Sequence, residues 1–228
     1  MIKNISNLGD ASVYCDFGSE VSKEINSEVI SYFNYLSQTV KDNKIYGITN
    51  LTPSYNKLVI SFDLNVTNFA RIKNEIENLD IKNIKKNESK VIKIPICCED
   101  KYGLDFIRLY EKLKLTKEEI LKSYLNKEYF CYMTGFIAGM PFLGDLSSDI
   151  RCNRHETPRV KVPKGSVGIT EQFANIYTFE SPGGWNIIGN TPKKIFNKNS
   201  INEPALIKPG DKVIFYQISN EEYLNWND

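Results

Sequence analysis

Four cations crowd one short stretch, RHETPRVKVPKGSVGI (154–169): Arg154, Arg159, Lys161 and Lys164. An arginine fork grips a carboxylate or phosphate through two parallel hydrogen bonds, so this stretch is a candidate anion site. The alternative is a solvated surface loop. Pro158 and Pro163 bracket Arg159 and restrict the backbone around it. The lone histidine, His155, has many acidic residues at distances that spacing does not give, so no Ser-His-Asp triad can be assembled from the sequence, and it reads as a loop residue rather than a general base. Cys97-Cys98 precede Glu99-Asp100. Carboxylates beside a thiol raise its pKa, so these cysteines read as packing. Five cysteines without a CxxC pair, and a single histidine, argue against a zinc site and fit free thiols in a reducing cytoplasm. No metal site is expected.

A second stretch, SPGGWNIIGNTP (181–192), sets Pro-Gly-Gly against Trp185. It reads as a turn followed by a short strand, Trp185 to Gly189, in which Gly183 and Gly184 permit positive φ or a close backbone approach. A third, GFIAGMPFLGDL (135–146), has the same glycine and proline punctuation. Loops of this kind line pockets on rigid scaffolds. No Walker A, GxGxxG or GxSxG motif is present.

The elements that must position these loops fall into two groups. In the first 88 residues, Val13, Cys15 and Phe17 alternate as a half-buried strand, and Ser22 caps a helix whose apolar stripe is Ile25, Val29, Phe33, Leu36 and Val40. A weak strand near 45–51 and a turn at Thr52-Pro53-Ser54 follow. KLVISFDL then alternates with Leu58, Ile60, Phe62 and Leu64 on one side, and Phe69, Ile72, Ile76 and Leu79 mark a second helix. The order β-α-β-β-α suggests a ferredoxin-like sandwich. The polar run IKNIKKNESK (81–90) places a domain boundary near residue 88, dividing the chain into 1–88 and 89–228. The second domain opens with the strand VIKIPI, then a helix over 104–114 and another started by the capping box Thr116-Lys-Glu-Glu119. Short strands broken by glycine and proline follow from Phe130, the pattern of a β-barrel or sandwich. The fold class is therefore α+β.

Apolar residues make up 41% and charged residues 25%, as in globular chains, and the net charge of +1 recruits no nucleic acid by itself. No apolar run approaches the roughly 20 residues that span a bilayer. The start, MIKNISNLGD, lacks the apolar core of a signal peptide, so a cytoplasmic location is expected.

Together GFIAGMPFLGDL, TPRVKVPKGSV and YTFESPGGWNIIGNTP resemble, in the same order, the pattern GFxPGFPYLGGL, TPRxxVPxGSV and YPxxSPGGWxxIGxTP of the 5-oxoprolinase B-subunit family, also called allophanate hydrolase subunit 1 or the Kip-inhibitor family. ASVYCDFGSEVSKEIN, IPICCEDKYGLDF and IKPGDKVIFYQI extend the resemblance over nearly the whole chain. It implies a ferredoxin-like N-terminal domain and a cyclophilin-like β-barrel. It also implies partner subunits A and C, with which the assembly opens 5-oxoproline to glutamate using ATP. Related chains hydrolyse allophanate in urea degradation, and one branch inhibits a sporulation histidine kinase. On this reading Arg159 binds a carboxylate or phosphate and Glu180 orients a water or an ammonium, both as catalytic residues. Arg154, Ser166, Ser181, Gly183, Gly184 and Trp185 bind substrate. ATP acts at the level of the complex, and the isolated chain is expected to be inactive. The chain departs from the family pattern at Ala138, Met140 and Asp145. It also has Tyr124 in place of a histidine, and Phe173-Ala174-Asn175 in place of Gln-Thr-Gly.

Overall fold

The computed structural model describes residues 1–79, 89–200 and 203–227. The chain divides into two compact units, Met1–Glu88 and Ser89–Asp228. The boundary expected near residue 88 falls within 80–88, outside the described residues.

In the first unit, strands β1 (Asn4–Asn7) and β2 (Ser12–Asp16) precede helix α1 (Lys23–Lys41), strands β3 (Ile48–Pro53) and β4 (Lys57–Phe62), and helix α2 (Phe69–Glu77). The strands form one antiparallel sheet in the order β1-β2-β4-β3. Ser22 Oγ accepts the Ile25 amide and Asn68 Oδ1 the Arg71 amide, so each helix starts where a side chain satisfies an orphan donor. Val13 and Cys15 on β2 and Leu58, Ile60 and Phe62 on β4 turn the same way and meet Val29, Leu36, Ile72 and Ile76 of the helices in one core.

Four details differ from the sequence reading. Strand β1, with the sequence NISN, carries too little apolar pattern to announce itself. The buried face of α1 runs through Asn26, Val29, Tyr32, Leu36 and Thr39, while Ile25, Phe33 and Val40 are only half-buried. Asn26 tolerates burial because its Nδ2 donates to the Ser54 and Tyr55 carbonyls at 3.1 and 2.8 Å. Thr52 and Pro53 belong to β3, an edge strand on which a missing proline donor is tolerated, and the turn lies at 54–56. Leu64 is exposed because β4 ends at Phe62 and Asp63 opens a turn, accepting the Asn65 amide at 2.8 Å.

The second unit contains β5 (Val91–Cys97), α3 (Phe106–Leu113), α4 (Lys117–Leu125), β6 (Glu128–Thr134), β7 (Pro141–Gly144) and β8 (Arg159–Val162). It continues with β9 (Ser166–Ile169), β10 (Ala174–Ile176), β11 (Ser181–Gly183), β12 (Asn186–Asn190), β13 (Lys212–Ile218) and the short helix α5 (Asn220–Leu224). Seven strands close into a barrel in the order β10-β7-β6-β13-β5-β12-β9. Its interior is filled by side chains such as Ile94, Ile96, Val167, Ile169, Ile176, Val213 and Phe215. The expected capping box at Thr116 and Glu119 is present. Strands β8 and β11 stay out of the barrel and pair with each other as a two-stranded ribbon. Between that ribbon and the barrel wall lies a second, smaller core of Met140, Val162, Tyr177 and Ile187.

Candidate functional site

The loop from Cys152 to Arg159 joins the barrel to the ribbon, and two buried polar hubs hold it. The first is Asp105, just before α3 and 2% exposed. Its carboxylate does not cap its own helix. Arg159 donates through Nη1 to Oδ2 at 3.0 Å and through Nη2 to Oδ1 at 2.5 Å. The Ile187 backbone amide donates to Oδ2 at 2.6 Å, and His155 Nε2 lies 3.0 Å from Oδ1. The second hub joins Arg108 of α3 to Asn186 of β12. Arg108 Nη1 donates to Asn186 Oδ1 at 3.0 Å, and Nη2 donates to the Arg154 carbonyl at 3.2 Å. Asn186 Nδ2 donates to the carbonyls of Asn153 and Ile169 at 3.1 and 3.2 Å. The His155 amide then donates to the Gly184 carbonyl at 2.7 Å, fastening the loop to the bend at Gly184-Trp185; Pro182 and Gly183, expected as a turn, instead belong to β11, and the strand expected from Trp185 to Gly189 is β12, Asn186–Asn190.

Behind that bend is a cavity of about 300 Å³. Phe136, Met140, Phe142 and Pro158 supply apolar walls, and Pro182, Gly183 and Gly184 form part of the rim. Trp185 is 5% exposed and packs edge-on against Phe142, with ring centres 5.6 Å apart at 81°. The Arg154 guanidinium sits 5.7 Å from the centre of the Trp185 ring, a cation–π distance. No carboxylate lies within ion-pair distance of Arg154 among the described residues, although its charge helps lower the Glu171 carboxyl, so the cavity carries a cation on its wall. Tyr177 completes the lining. Burial pushes its phenol above the ordinary range, and hydrogen bonds from the Asn175 side chain and the Trp185 amide, then the Arg154 and Arg159 charges, offset part of that. Gly183 is required for space rather than for φ, which is not positive at either Gly183 or Gly184. A Cβ on Gly183 would lie 2.2 Å from Tyr177 Oη.

Of the residues singled out in the sequence, the fold brings Arg154, Gly183, Gly184 and Trp185 together on the cavity. Arg159 is not among the lining residues, and its two terminal nitrogens are taken by Asp105. Glu180 is exposed and pairs with Lys161 at 3.3 Å. Ser166 is buried in β9 and Ser181 is half-buried in β11, and neither lines the cavity. Among the positions that depart from the family pattern, Met140 is a wall of the cavity, and the Ala138 carbonyl accepts the Thr178 hydroxyl at 2.7 Å. Phe173 packs edge-on to Tyr132, and Tyr124 is fully buried against Tyr129 and Phe215 in the barrel core. All five thiols are buried. Burial, rather than the neighbouring acids, is what pushes Cys98 up to about 12. Asp105, Arg108, Phe142 and Tyr177 were not anticipated. Asp105 stands inside IPICCEDKYGLDF and Tyr177 opens YTFESPGGW, but nothing local marks either as part of a site. No group of three metal-ligating side chains occurs among the described residues.

Residues 3–207 match the family described as the carboxyltransferase domain, subdomain C and D. The chain is 30% identical over 231 residues to the 5-oxoprolinase B-subunit of Bacillus subtilis (strain 168), an overlap covering 96% of this chain and 94% of that protein. The chain belongs to the 5-oxoprolinase B-subunit family. A more distant relative is the urea amidolyase of Lachancea kluyveri, 23% identical over 244 residues, which cover 94% of this chain and 13% of that protein. Among solved structures, that of TTHA0988 superposes with a TM-score of 0.80 at 26% identity over 92% of this chain. This chain spans 40% of that longer protein. The three phrases singled out in the sequence supply Phe142, Pro158, Tyr177 and Trp185 to the lining of the cavity.

Proposed function

We propose that this chain is the B-subunit of an ATP-dependent 5-oxoprolinase, opening the ring of 5-oxoproline to glutamate together with subunits A and C. The observation that carries the reading is the cavity behind the Gly184-Trp185 bend, with apolar walls and one guanidinium. A small ring bearing a carboxylate suits such a site, since the ring takes the apolar wall and the carboxylate takes the fork. Arg154 binds the carboxylate, and Trp185 holds the guanidinium in place. Asp105 and Arg159 act as positioning residues, fixing the loop that carries Arg154. The residues of this chain do not fit a nucleotide: the sequence has no glycine-rich phosphate loop, and we assign ATP to the complex rather than to this unit. Glu180, on the surface beside Lys161, takes no step in the cavity. This chain's share of the work is to bind, orient and shield the ring, and the groups that activate the amide come from its partners.

The four-stranded sheet with two helices and the closed barrel support the ferredoxin-like and cyclophilin-like assignments of the two units. No helix among the described residues is long and apolar enough to cross a membrane, which suits the cytoplasmic location we propose. Co-expression with candidate A and C subunits, followed by an assay of glutamate release, tests the reading. The complex should turn over, the chain alone should not, and Arg154→Ala should lower kcat/KM by at least about 10²-fold, near 2.7 kcal/mol. Sustained glutamate production by the chain without partners would refute the composite site. The likeness to urea amidolyase favours a second reading, allophanate hydrolysis, which the same complex tests with allophanate as substrate. The kinase-inhibitor branch supplies a third reading, tested by autophosphorylation of a sporulation kinase with and without the chain.

A further inference from the structure

Between β6 and β7 the chain turns through residues 135–140, and Phe136 stands there at a φ of 68°. The Ile137 amide donates to the Gly135 carbonyl at 2.9 Å, so Phe136 is the centre of a γ-turn of the rare, strained form with positive φ. For a bulky side chain this backbone region is a genuine outlier. Among the described residues, the other two non-glycine positions of this kind are Asn43 and Lys114, which follow α1 and α3, where a left-handed residue is an ordinary helix stop. Phe136 ends no helix. The loop around it over-determines its conformation. The Gly135 amide donates to the Met140 carbonyl at 3.0 Å, and the Met140 amide donates to the Ile137 carbonyl at 3.1 Å. Gly139 has a φ of 70°, and a Cβ added to it would run into the Phe196 ring, so the loop cannot shift to relax its neighbour. The Phe136 side chain is 68% exposed, yet it is one of the walls of the cavity that also holds Arg154, Phe142 and Trp185, which places it at the mouth. A glycine would make the same turn without strain and without putting an apolar ring in water. Strain held at a cavity in this way points to a use for the side chain.

We propose that Phe136 is a ligand-binding residue at the mouth of this cavity, its phenyl face covering the ring of a small cyclic acid whose carboxylate Arg154 holds. The inference rests on the reading of the cavity given above and adds the residue that tells a ring from an open chain. A guanidinium by itself attracts any small carboxylate. A phenyl face at the mouth favours a compact ring, because contact takes apolar surface of both out of water. The fixed turn presents that face without the entropy cost of ordering a loop around the ligand.

Two ligands test this on the purified full-length chain by calorimetry: 5-oxoproline, and N-acetylglycine, which carries an amide and a carboxylate on an open chain. The wild-type chain should prefer 5-oxoproline by at least about tenfold. Phe136→Gly removes the ring and relieves the turn. It should bind 5-oxoproline at least about tenfold more weakly, keep less than about a threefold preference for it, and melt no lower than wild type. Phe136→Tyr keeps the aromatic face and should bind 5-oxoproline within about threefold of wild type. A ring with a purely structural role would do the reverse, lowering the melting temperature of Phe136→Gly and leaving the ligand preference alone. Binding of 5-oxoproline by Phe136→Gly as tight as by wild type, or a melting temperature several degrees lower, overturns the role of Phe136 and leaves the subunit reading intact. Unchanged affinity together with failure of Phe136→Gly to assemble with subunits A and C also overturns it and assigns the ring to a partner contact. Absence of binding of either ligand by the wild-type chain overturns the cavity assignment as well, while glutamate release by the reconstituted complex still decides the subunit reading.

Discussion

Arg159→Ala separates an arginine that binds substrate from one that braces a loop. If the guanidinium faced a substrate anion, removing it would cost activity and leave stability nearly unchanged. In the structure it grips Asp105, a carboxylate only 2% exposed. Breaking a buried pair costs about 3–5 kcal/mol, because the partner charge stays behind. Two features reduce that figure: the Arg159 side chain is 29% exposed, and Asp105 keeps the Ile187 amide and His155. We therefore expect a loss of about 2 kcal/mol. For a unit the size of Ser89–Asp228, unfolding entropy is about 0.3 kcal/mol per kelvin, so the melting temperature should fall by about 7 °C. Arg159→Lys, which keeps the charge and loses the fork, should fall in between. The assay is selective, because both tryptophans, Trp185 and Trp226, lie in this unit and their fluorescence follows its unfolding alone. Asp105→Asn retains an acceptor for the Ile187 amide. Combined with Arg159→Ala, it should cost at least about 1 kcal/mol less than the sum of the two single changes. A melting temperature within about 2 °C of wild type for Arg159→Ala, or strict additivity in the cycle, would show that Asp105 and Arg159 do not act as a pair.

In the first unit, Phe62→Ala should cost about 3–5 kcal/mol by opening a cavity between β4 and the helices; chemical denaturation followed by far-UV circular dichroism that shows less than about 1 kcal/mol would mean the register of β4 is wrong. Gly183→Ala drives a methyl group to 2.2 Å from Tyr177 Oη and should cost about 1–3 kcal/mol, whereas Gly184→Ala meets nothing closer than 3.4 Å and should be near neutral; equal denaturation midpoints for the two variants would contradict the packing behind the bend. All five thiols are buried, and burial pushes Cys15 and Cys98 up to about 12, so at pH 7.5 an aromatic disulfide reagent should label the folded chain far more slowly than the guanidinium-unfolded one; rapid labelling of the folded chain counts against the packing role.

Features that depend on residues close in sequence were legible before the fold was known. The Ser22 cap, the Thr116–Glu119 capping box and the alternation along β2 and β4 are such features, because hydrogen bonds across one helical turn and a period of two are set by the local chain. The same locality explains the misplaced stripe on α1. Apolar spacing alone cannot show that the buried Asn26 pairs with carbonyls from the turn after β3. At the site, Gly183, Gly184 and Trp185 stood out because Gly-Gly beside a tryptophan is a local signature of close packing, although Gly183 proved to lie in β11 rather than in a turn. The role of Arg159 did not. Its partner Asp105 is 54 positions away, and only the packing of α3 against the ribbon loop converts an apparent substrate fork into a brace. Asn175 is the sharpest case. On a strand its side chain could face either side of the wall, and closure of the barrel decides that Ala174 and Ile176 take the interior. That leaves the Asn175 amide on the outer face, with its oxygen paired to Gly168 and its side chain against the Tyr177 phenol. The sequence by itself determined most of the strands and helices, though not β1 or the end of β3, because those follow from short-range sterics and hydrogen bonding. The tertiary structure alone decided which charges neutralise one another and which polar groups remain for a ligand, because those depend on contacts between segments far apart along the chain.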